Sequence, residues 1–288
     1  MKLPPVAHAR AESVEEAVSL LSDARGGARV LAGGQSLVPL MAFRQVRPDL
    51  LVDVNEIAPL GRHSLDDPSA GLVIGANCRQ VLLEHWSPPT PAWRAFPQAV
   101  RQIGNYVTRL RGTAVGSITH ADPAGELPLL FVLFGGELSV RSAHGERTIS
   151  SSDFYFGPHE TALSPVELVT EVRFHAPPRG AVSGFAELNE RTAVASVGIA
   201  LGFSDGVCDW CRIALGGVAP TPIRAPDAEA ILCGSRVEPG AVQEAARTAA
   251  AASAPRSDTH GSARFRRALV EALVERVARG LAVTATSE

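Results

Sequence analysis

The N-terminal half of the chain alternates short apolar runs with amphipathic ones, a pattern that predicts strands interleaved with helices. The first helix is predicted from a capping box, because Glu16 follows Ser13 at the required spacing and the apolar periodicity ends near Ala24. Further helices are predicted at 37–44, between 75 and about 84, at 92–103 and at 127–134, and strands at 29–31, 50–54, 72–75, 137–140, 147–150 and 167–174.

A different pattern begins after the proline–glycine cluster at 175–180, which predicts a domain boundary. Alternating runs at 181–188, 196–203 and 207–215 predict three consecutive strands. The remainder is predicted to be helical, with Pro226 and Pro239 opening two helices and an amphipathic helix over 262–281. Strands followed by helices predict a separate C-terminal unit.

The composition argues against several classes of protein, including those that bind nucleic acid or membranes. The chain of 288 residues is 45% apolar and 20% charged, which is ordinary for a soluble globular protein. A net charge of −3 gives no reason to expect nucleic acid or an anionic membrane as partner, and 5% aromatic residues argue against base-stacking surfaces. No apolar run suits a secretion signal or a membrane span. We therefore expect a cytoplasmic protein.

The four cysteines do not predict a metal site. Cys208 and Cys211 form a C-x-x-C pair, but they lie in a predicted strand, where residues three apart point to opposite faces. Without a second such pair, reduced and mostly buried cysteine is the expectation.

Two segments of small residues carry the candidate chemistry. Residues 31–36 read LAGGQS after a predicted strand, and residues 111–128 read RGTAVGSITHADPAGELP. Glycine lets a ligand approach the backbone closely, while Thr113 and Ser117 offer hydroxyl donors. Ser36 is a candidate N-cap for the helix at 37–44, whose free N–H groups would favour an anion. The first segment alone is equally compatible with a tight turn that binds nothing, but the pair predicts a ligand with a polyphosphate group.

These segments resemble the FAD-binding medium subunits of molybdenum hydroxylases, a family that includes the carbon monoxide dehydrogenase medium subunit and the flavin domain of xanthine dehydrogenase. Four blocks carry the resemblance in the family's order, and together they span nearly the whole chain. They are LAGGQSLVP at 31–39 with RPDLLVDVNEI at 47–57, RGTAVGSITHADPAGELP at 111–128, FGPHETALSPVELVTEVRF at 156–174, and RIALGGVAPTPIRA at 212–225.

The resemblance implies an α+β fold. Residues 1–176 would form a FAD-binding domain of the vanillyl-alcohol-oxidase (PCMH) type with subdomains at about 1–56 and 57–176, and residues 181–288 a C-terminal domain with a three-stranded antiparallel sheet and helices. It also implies an electron-transfer role beside a [2Fe–2S] small subunit and a molybdenum-cofactor large subunit. The implied FAD contacts are Ala32, Gly33, Gly34, Gln35, Ser36 and Leu37 in the first segment, Thr113, Gly116, Ser117 and Asp122 in the second, and Leu168 in a later strand. No catalytic residue and no metal ligand is assigned.

The chain departs from the family at three places, the first of which is residues 103–110, where only the family's Ile, Gly and Arg109 are kept. Val115 stands where the family usually has glycine, which would cost about 1–2 kcal/mol if that position required a positive φ. Residues 189–194 replace basic residues and a Gly-Asp-Phe sequence. These departures leave two alternatives open: a stand-alone FAD-dependent oxidoreductase acting on a small organic substrate, and a scaffold that has lost FAD.

Overall fold

The computed structural model describes residues 3–190 and 193–286. Its first sheet is parallel, with strand order β1-β3-β2. The strands are β1 (Ala7–Arg10), β2 (Ala28–Leu31) and β3 (Leu50–Asp53), and the helices between them are α1 (Val14–Asp23) and α2 (Leu37–Ala42). As predicted, Ser13 caps α1, its hydroxyl accepting a hydrogen bond of 3.1 Å from the Glu16 N–H. The helix buries Ala17, Val18 and Leu21.

The second sheet is antiparallel, with strand order β4-β9-β5-β6. Its strands are β4 (Leu72–Gly75), β5 (Gly136–Ser142), β6 (Gly145–Ser150) and β9 (Leu168–Phe174), and a small hairpin is formed by β7 (Tyr155–Gly157) and β8 (Glu160–Thr161). The helices are α3 (Gln80–Glu84), α4 (Ala95–Val100), α5 (Tyr106–Arg111), α6 (Ala114–His120) and α7 (Glu126–Phe134). Helix α7 is apolar almost throughout because it lies between this sheet and the next, where a Cβ at Gly198 would come within 2.8 Å of Leu129.

The third sheet is antiparallel and has its own core. Its strand order is β10-β11-β12-β13, and helices pack against it. The elements are β10 (Val182–Asn189), β11 (Ala193–Ser204), β12 (Val207–Gly216), β13 (Ile223–Arg224), α8 (Pro226–Leu232), α9 (Pro239–Ala252) and α10 (Ala263–Thr286). The three predicted strands are therefore present, and a two-residue fourth strand extends the sheet. Mixed helices and strands with an antiparallel C-terminal sheet confirm the α+β class. No helix among the described residues is long and apolar enough to cross a membrane.

Two parts of the predicted element map are wrong. The helix predicted at 92–103 is instead a 3₁₀ turn over Pro91–Trp93 followed by the short α4, which ends before Gly104 with its φ of +47°. Helices α5 and α6 lie where no helix or strand was predicted. Each starts at a polar cap, since the Asn105 side chain accepts from the Thr108 N–H at 3.0 Å and that of Thr113 from the Gly116 N–H at 3.2 Å. These helices are too short for the apolar periodicity to reveal them.

The expectation that Cys208 and Cys211 face opposite sides of a strand is also wrong. In the β11–β12 ladder, Gly202 pairs with Trp210 and Phe203 with Cys208, so that Asp209 is an extra residue in a β-bulge. One extra residue reverses the alternation of side chains. Cys208 and Cys211 are therefore both buried in the C-terminal core. The departure noted at 189–194 includes Arg191 and Thr192, which lie outside the described residues.

Candidate functional site

The first small-residue segment makes a contact that only glycine permits. A Cβ at Gly33 would collide with the carbonyl oxygen of Arg111 and lie 2.8 Å from the Cα of Gly112. Gly34 follows with φ at +72°, a conformation that side chains rarely adopt. The two small-residue segments, distant in sequence, are thus in backbone contact at Gly33.

The same segment presents a row of backbone donors. Within the described part of the chain, the N–H groups of Gly33, Gly34, Gln35 and Ser36 donate to no acceptor. The Gln35 side chain points back along the segment, its Nε2 donating to the Gly33 carbonyl at 3.1 Å. Consecutive unpaired N–H groups of this kind form an anion-binding concavity.

Ser36 does not cap α2, contrary to the prediction. Its φ of −102° and ψ of −49° are already helical, and its side chain makes no capping hydrogen bond. The Val38 N–H already donates to the Gly34 carbonyl at 3.0 Å, so the helical turn starts earlier than the sequence suggested. The half-buried hydroxyl of Ser36 lies beside the unpaired N–H groups. Leu37, the first residue of α2, follows it.

The second segment is the start of a helix. Thr113 caps α6 and is 3% exposed, and Gly116 and Ser117 lie in the first turn. Val115 is a helical residue without positive φ and is 3% exposed, so the backbone strain anticipated at this position is absent. A helix does not require glycine at this position. The argument that the chain has lost FAD rested on strain at Val115, so that argument fails.

A hydrogen-bond network joins the two segments. The Asn55 amide donates to the Ala32 carbonyl at 2.9 Å, and its carbonyl oxygen accepts from the Arg79 guanidinium at 2.6 Å. Arg79 also donates to the Arg111 carbonyl at 2.5 Å. Partial burial, followed by the charge of Arg111, lowers the pKa of Arg79. The network fixes both backbones that meet at Gly33.

Asn55 is itself held by Asp53. Oδ1 of Asp53 accepts from the Asn55 N–H at 2.9 Å and from its side-chain amide at 2.7 Å, while Oδ2 contacts the His8 imidazole at 3.1 Å. Burial opposes ionisation of Asp53, but the hydrogen bonds from Asn55 and His8 prevail and lower its pKa. Sequence reasoning missed Asn55 and Arg79. Their only signal is that Asn55 ends a predicted strand within the first block.

A cavity of about 340 Å³ opens beside the two segments. Of the predicted residues, Ala32, Gly116 and Leu168 line it, and Val115 joins them. Its walls also include Val54, Ala76, Thr119, Thr161 and Leu163, none of which was predicted. The wall is mostly apolar but also includes Arg29, Ser164 and Glu167, so the cavity suits an aromatic ring with polar substituents, whereas the row of free N–H groups next to it suits an anion.

At the opposite end of α6 the chain turns through a left-handed residue. Ala121 has φ of +54°, and the next residue, Asp122, accepts from the Ala124 N–H at 2.9 Å through Oδ1. His159 of the β7–β8 hairpin stacks on His120, with ring centroids 4.6 Å apart, and its N–H donates to the Ala121 carbonyl at 2.9 Å. Burial, and then the neighbouring His159, lower the pKa of His120. The hairpin thereby fixes the turn that places Asp122.

Two carboxyl groups lie where α7 approaches the third sheet. Glu126 is 9% exposed, and burial, reinforced by the charge of Glu187, raises its pKa to about 8. Burial also raises the pKa of Glu187, whose Oε2 has no hydrogen-bond partner among the described residues. Glu126 is therefore uncharged at neutral pH.

Two side chains of α5, just before the second segment, lie in different surroundings. Arg109 is buried and forms a two-point ion pair with Glu84 at 2.7 and 2.8 Å, which holds α5 against α3. Tyr106 is 51% exposed, so it does not fill core. The structure thus brings the two predicted segments and Leu168 to one region, with Asp122 at the far end of α6.

Comparison with known proteins agrees with this geometry. The family described as "FAD binding domain in molybdopterin dehydrogenase" matches residues 4–177, and "CO dehydrogenase flavoprotein C-terminal domain" matches residues 186–281. The nicotine 6-hydroxylase medium subunit of Paenarthrobacter nicotinovorans is 34% identical over 279 residues, covering 96% of this chain and 97% of that protein. The carbon monoxide dehydrogenase medium chain of Afipia carboxidovorans is 31% identical, with 93% of each chain covered.

Solved structures give the same result. Carbon monoxide dehydrogenase from Hydrogenophaga pseudoflava superposes with a TM-score of 0.91 at 33% identity, covering 99% of both chains. Quinoline 2-oxidoreductase from Pseudomonas putida 86 gives a TM-score of 0.91 at 32% identity, also over 99% of both chains. The row of free N–H groups, the glycine contact and the neighbouring apolar cavity fit the pyrophosphate and the rings of FAD.

Proposed function

Because the chain belongs to the family of FAD-binding medium subunits of molybdenum hydroxylases, we propose that it works as the electron-transfer subunit between the iron–sulfur clusters of a partner subunit and an external acceptor. Its cofactor is FAD, and it is a subunit of an FAD-dependent oxidoreductase. Bound FAD supplies the redox chemistry, and the protein supplies binding, orientation and electrostatics. The row of unpaired N–H groups at 33–36 is the observation that carries the proposal.

We assign the binding roles from that geometry. The free N–H groups of the first segment would hold the pyrophosphate, with the Ser36 hydroxyl beside them. Thr113, Gly116 and Ser117 would bound the phosphates from the α6 side, and Asp122 would contact the cofactor near the end of that helix. Leu168 and the apolar cavity wall would exclude water from one of the cofactor's rings.

The partners proposed are a [2Fe–2S] small subunit and a molybdenum-cofactor large subunit. Exposed apolar side chains at the end of α2, which follows the first segment, and on α5, which ends at Arg111, support a subunit interface there: the C-cap residue Phe43 is 66% exposed, Val107 67% and Tyr106 51%. Exposed apolar groups gathered beside a cofactor site are typical of protein–protein contacts. We further propose the domain division at 1–176 and 181–288 and a cytoplasmic location.

The test is to isolate the tagged chain from its native cells and to measure FAD, iron and molybdenum together. We expect about four iron atoms and about one molybdenum for each FAD, because two [2Fe–2S] clusters accompany one molybdenum centre. A Phe43→Glu/Val107→Glu variant should keep FAD and lose both metals, because the charges disrupt only the subunit contact. Phe265→Glu, at a residue 43% exposed on α10, is the matched control and should keep all three.

The remaining outcomes decide against the proposal. A yellow chain that carries FAD without iron or molybdenum, and that turns over an organic substrate alone, would support the stand-alone oxidoreductase instead. Loss of FAD from the Phe43→Glu/Val107→Glu variant would show that the two helices hold the cofactor and not a partner.

A further inference from the structure

A cluster of three cysteines lies in the C-terminal domain, in the core that the FAD site does not use. The bulge at Asp209 turns Cys208 to the face of β12 that carries Cys211. Cys208 is fully buried and Cys211 is 7% exposed. Without the bulge these two thiols would lie on opposite faces of the strand.

The third cysteine comes from the end of α8. Cys233 is the C-cap residue of that helix, and the backbone that follows it pairs with Cys208. The Cys208 N–H donates to the Ser235 carbonyl at 2.8 Å, and the Gly234 N–H donates to the Cys208 carbonyl at 2.7 Å. Cys208 therefore lies beside both other cysteines, and its own thiol donates to the Trp210 carbonyl at 3.4 Å. Of the three, only Cys233 is exposed to solvent.

The surroundings favour a thiolate at Cys208. Hydrogen bonding to Cys211 outweighs burial and lowers the pKa of the Cys208 thiol, and the contact with Cys233 adds to this. The pKa of Cys211 is raised by its hydrogen bond to Cys208 and by burial, and that of Cys233 by burial. Cys208 is therefore the most acidic of the three thiols, which suits it to attack a neighbouring cysteine once that neighbour has been oxidised.

We propose that Cys208 and Cys233 are a redox-modification site that forms a reversible disulfide when exposed Cys233 meets a peroxide. The peroxide oxidises the Cys233 thiol to a sulfenic acid, with cleavage of the O–O bond and release of water. The Cys208 thiolate then attacks the sulfenic sulfur, the S–S bond forms, the S–O bond breaks, and the departing hydroxide takes up a proton to give a second water. In sum, the two thiols lose two electrons and two protons, and the peroxide becomes two waters.

Cys211 is a positioning residue in this reaction, because it acts through its hydrogen bond to Cys208. The described residues contain no group of three or more His, Cys, Asp or Glu side chains placed to hold a metal ion. The disulfide would tie β12 to the end of α8 and close the loop between 208 and 233. Closing a loop of this length should raise Tm by about 5 °C.

The experiment uses the full chain with its FAD, treated with a small excess of hydrogen peroxide and digested without reductant. Mass spectrometry should find a peptide pair joined through Cys208 and Cys233, and a thiol reductant should separate it. Cys233→Ser removes an exposed thiol without disturbing the core and should abolish the product. Cys78→Ser is the matched control, since Cys78 is 1% exposed in the other core and burial raises its pKa to about 12, so it should change nothing.

Cys211→Ala tests the positioning role. It should slow disulfide formation by about tenfold and move the pH profile of Cys208 alkylation upward, because the hydrogen bond that lowers the thiol pKa is lost. Oxidation of Cys233 without a crosslink to Cys208, or zinc bound to the purified chain that protects the thiols, would overturn the proposal.

Discussion

The two small-residue segments meet at Gly33 but use their backbones differently. In the first segment, four consecutive N–H groups are unpaired within the described residues. In the second, three of the four N–H groups from 114 to 117 are paired: Ala114 donates to the Cys78 carbonyl at 3.0 Å, and Gly116 and Ser117 donate to the Thr113 hydroxyl and carbonyl, both at 3.2 Å. The first segment is thus shaped for a ligand and depends on glycine, while the second is ordinary helix that accepts a β-branched residue.

The largest effect is expected from Gly33→Ala, because the added Cβ would meet backbone atoms of Arg111 and Gly112 that have no freedom to move. Separating the two segments should weaken FAD binding by at least about 100-fold, or about 2.7 kcal/mol. Gly116→Ala is the matched variant, since its Cβ would meet only the Thr113 side chain and should cost about 1 kcal/mol of helix capping. Titration of the apoprotein with FAD measures both. Equal losses would show that the segments do not differ.

Arg79→Leu should have the next largest effect, because it breaks the bond that ties Asn55 to the Arg111 carbonyl. Hydrogen bonds to a charged group contribute about 1.5–3 kcal/mol, so FAD affinity should fall by about 30-fold. Arg279→Leu is the control, because that arginine pairs with Glu275 on α10, away from the network and the cavity. An Arg79→Leu chain with unchanged FAD affinity would mean that Gly33 alone sets the approach of the segments.

Glu126→Gln should remove the pH dependence of folding stability that the buried carboxyl causes. The Glu126 carboxyl has a pKa of about 8 in the folded chain, whereas its ordinary value is 4.5. Between pH 4.5 and pH 8 the folded state therefore holds the proton and the unfolded state does not. The stability that the protonated Glu126 contributes is complete below pH 4.5 and is lost as the pH rises through 8. Stability should therefore fall by about 2 kcal/mol between pH 6 and pH 8.

Denaturant titrations at both pH values measure this difference, and in Glu126→Gln it should disappear. Asp227→Asn, at an exposed position of α8, is the control and should retain it. An equal pH dependence in Glu126→Gln and the parent chain would show that Glu126 ionises normally.

The sequence was sufficient for the parts of the site that are local in the chain. The blocks around 31–39 and 111–128 predicted both segments and their cofactor, because small and hydroxyl-bearing residues lie close together in the sequence there. The Asn55–Arg79 network was out of reach, since it depends on how two sheets place residues that are 24 positions apart. The bulge at Asp209 was equally hidden, because register shifts arise from pairing with a neighbouring strand and leave no local pattern.

The smallest change in cofactor binding is expected at Val115, the departure that first cast doubt on the second segment. Val115→Gly restores the family's residue, yet Val115 is helical and 3% exposed, so its φ gives glycine no advantage. The substitution should leave FAD affinity within about threefold and cost about 2 kcal/mol of stability, through lost burial and the poor helix propensity of glycine. Val30→Gly, at a half-buried residue in strand β2 that also lines the cavity, compares the loss of a similar side chain without the helix. If Val115→Gly bound FAD much more tightly than the parent chain, the second segment would need backbone freedom after all, and its contrast with the first would be lost.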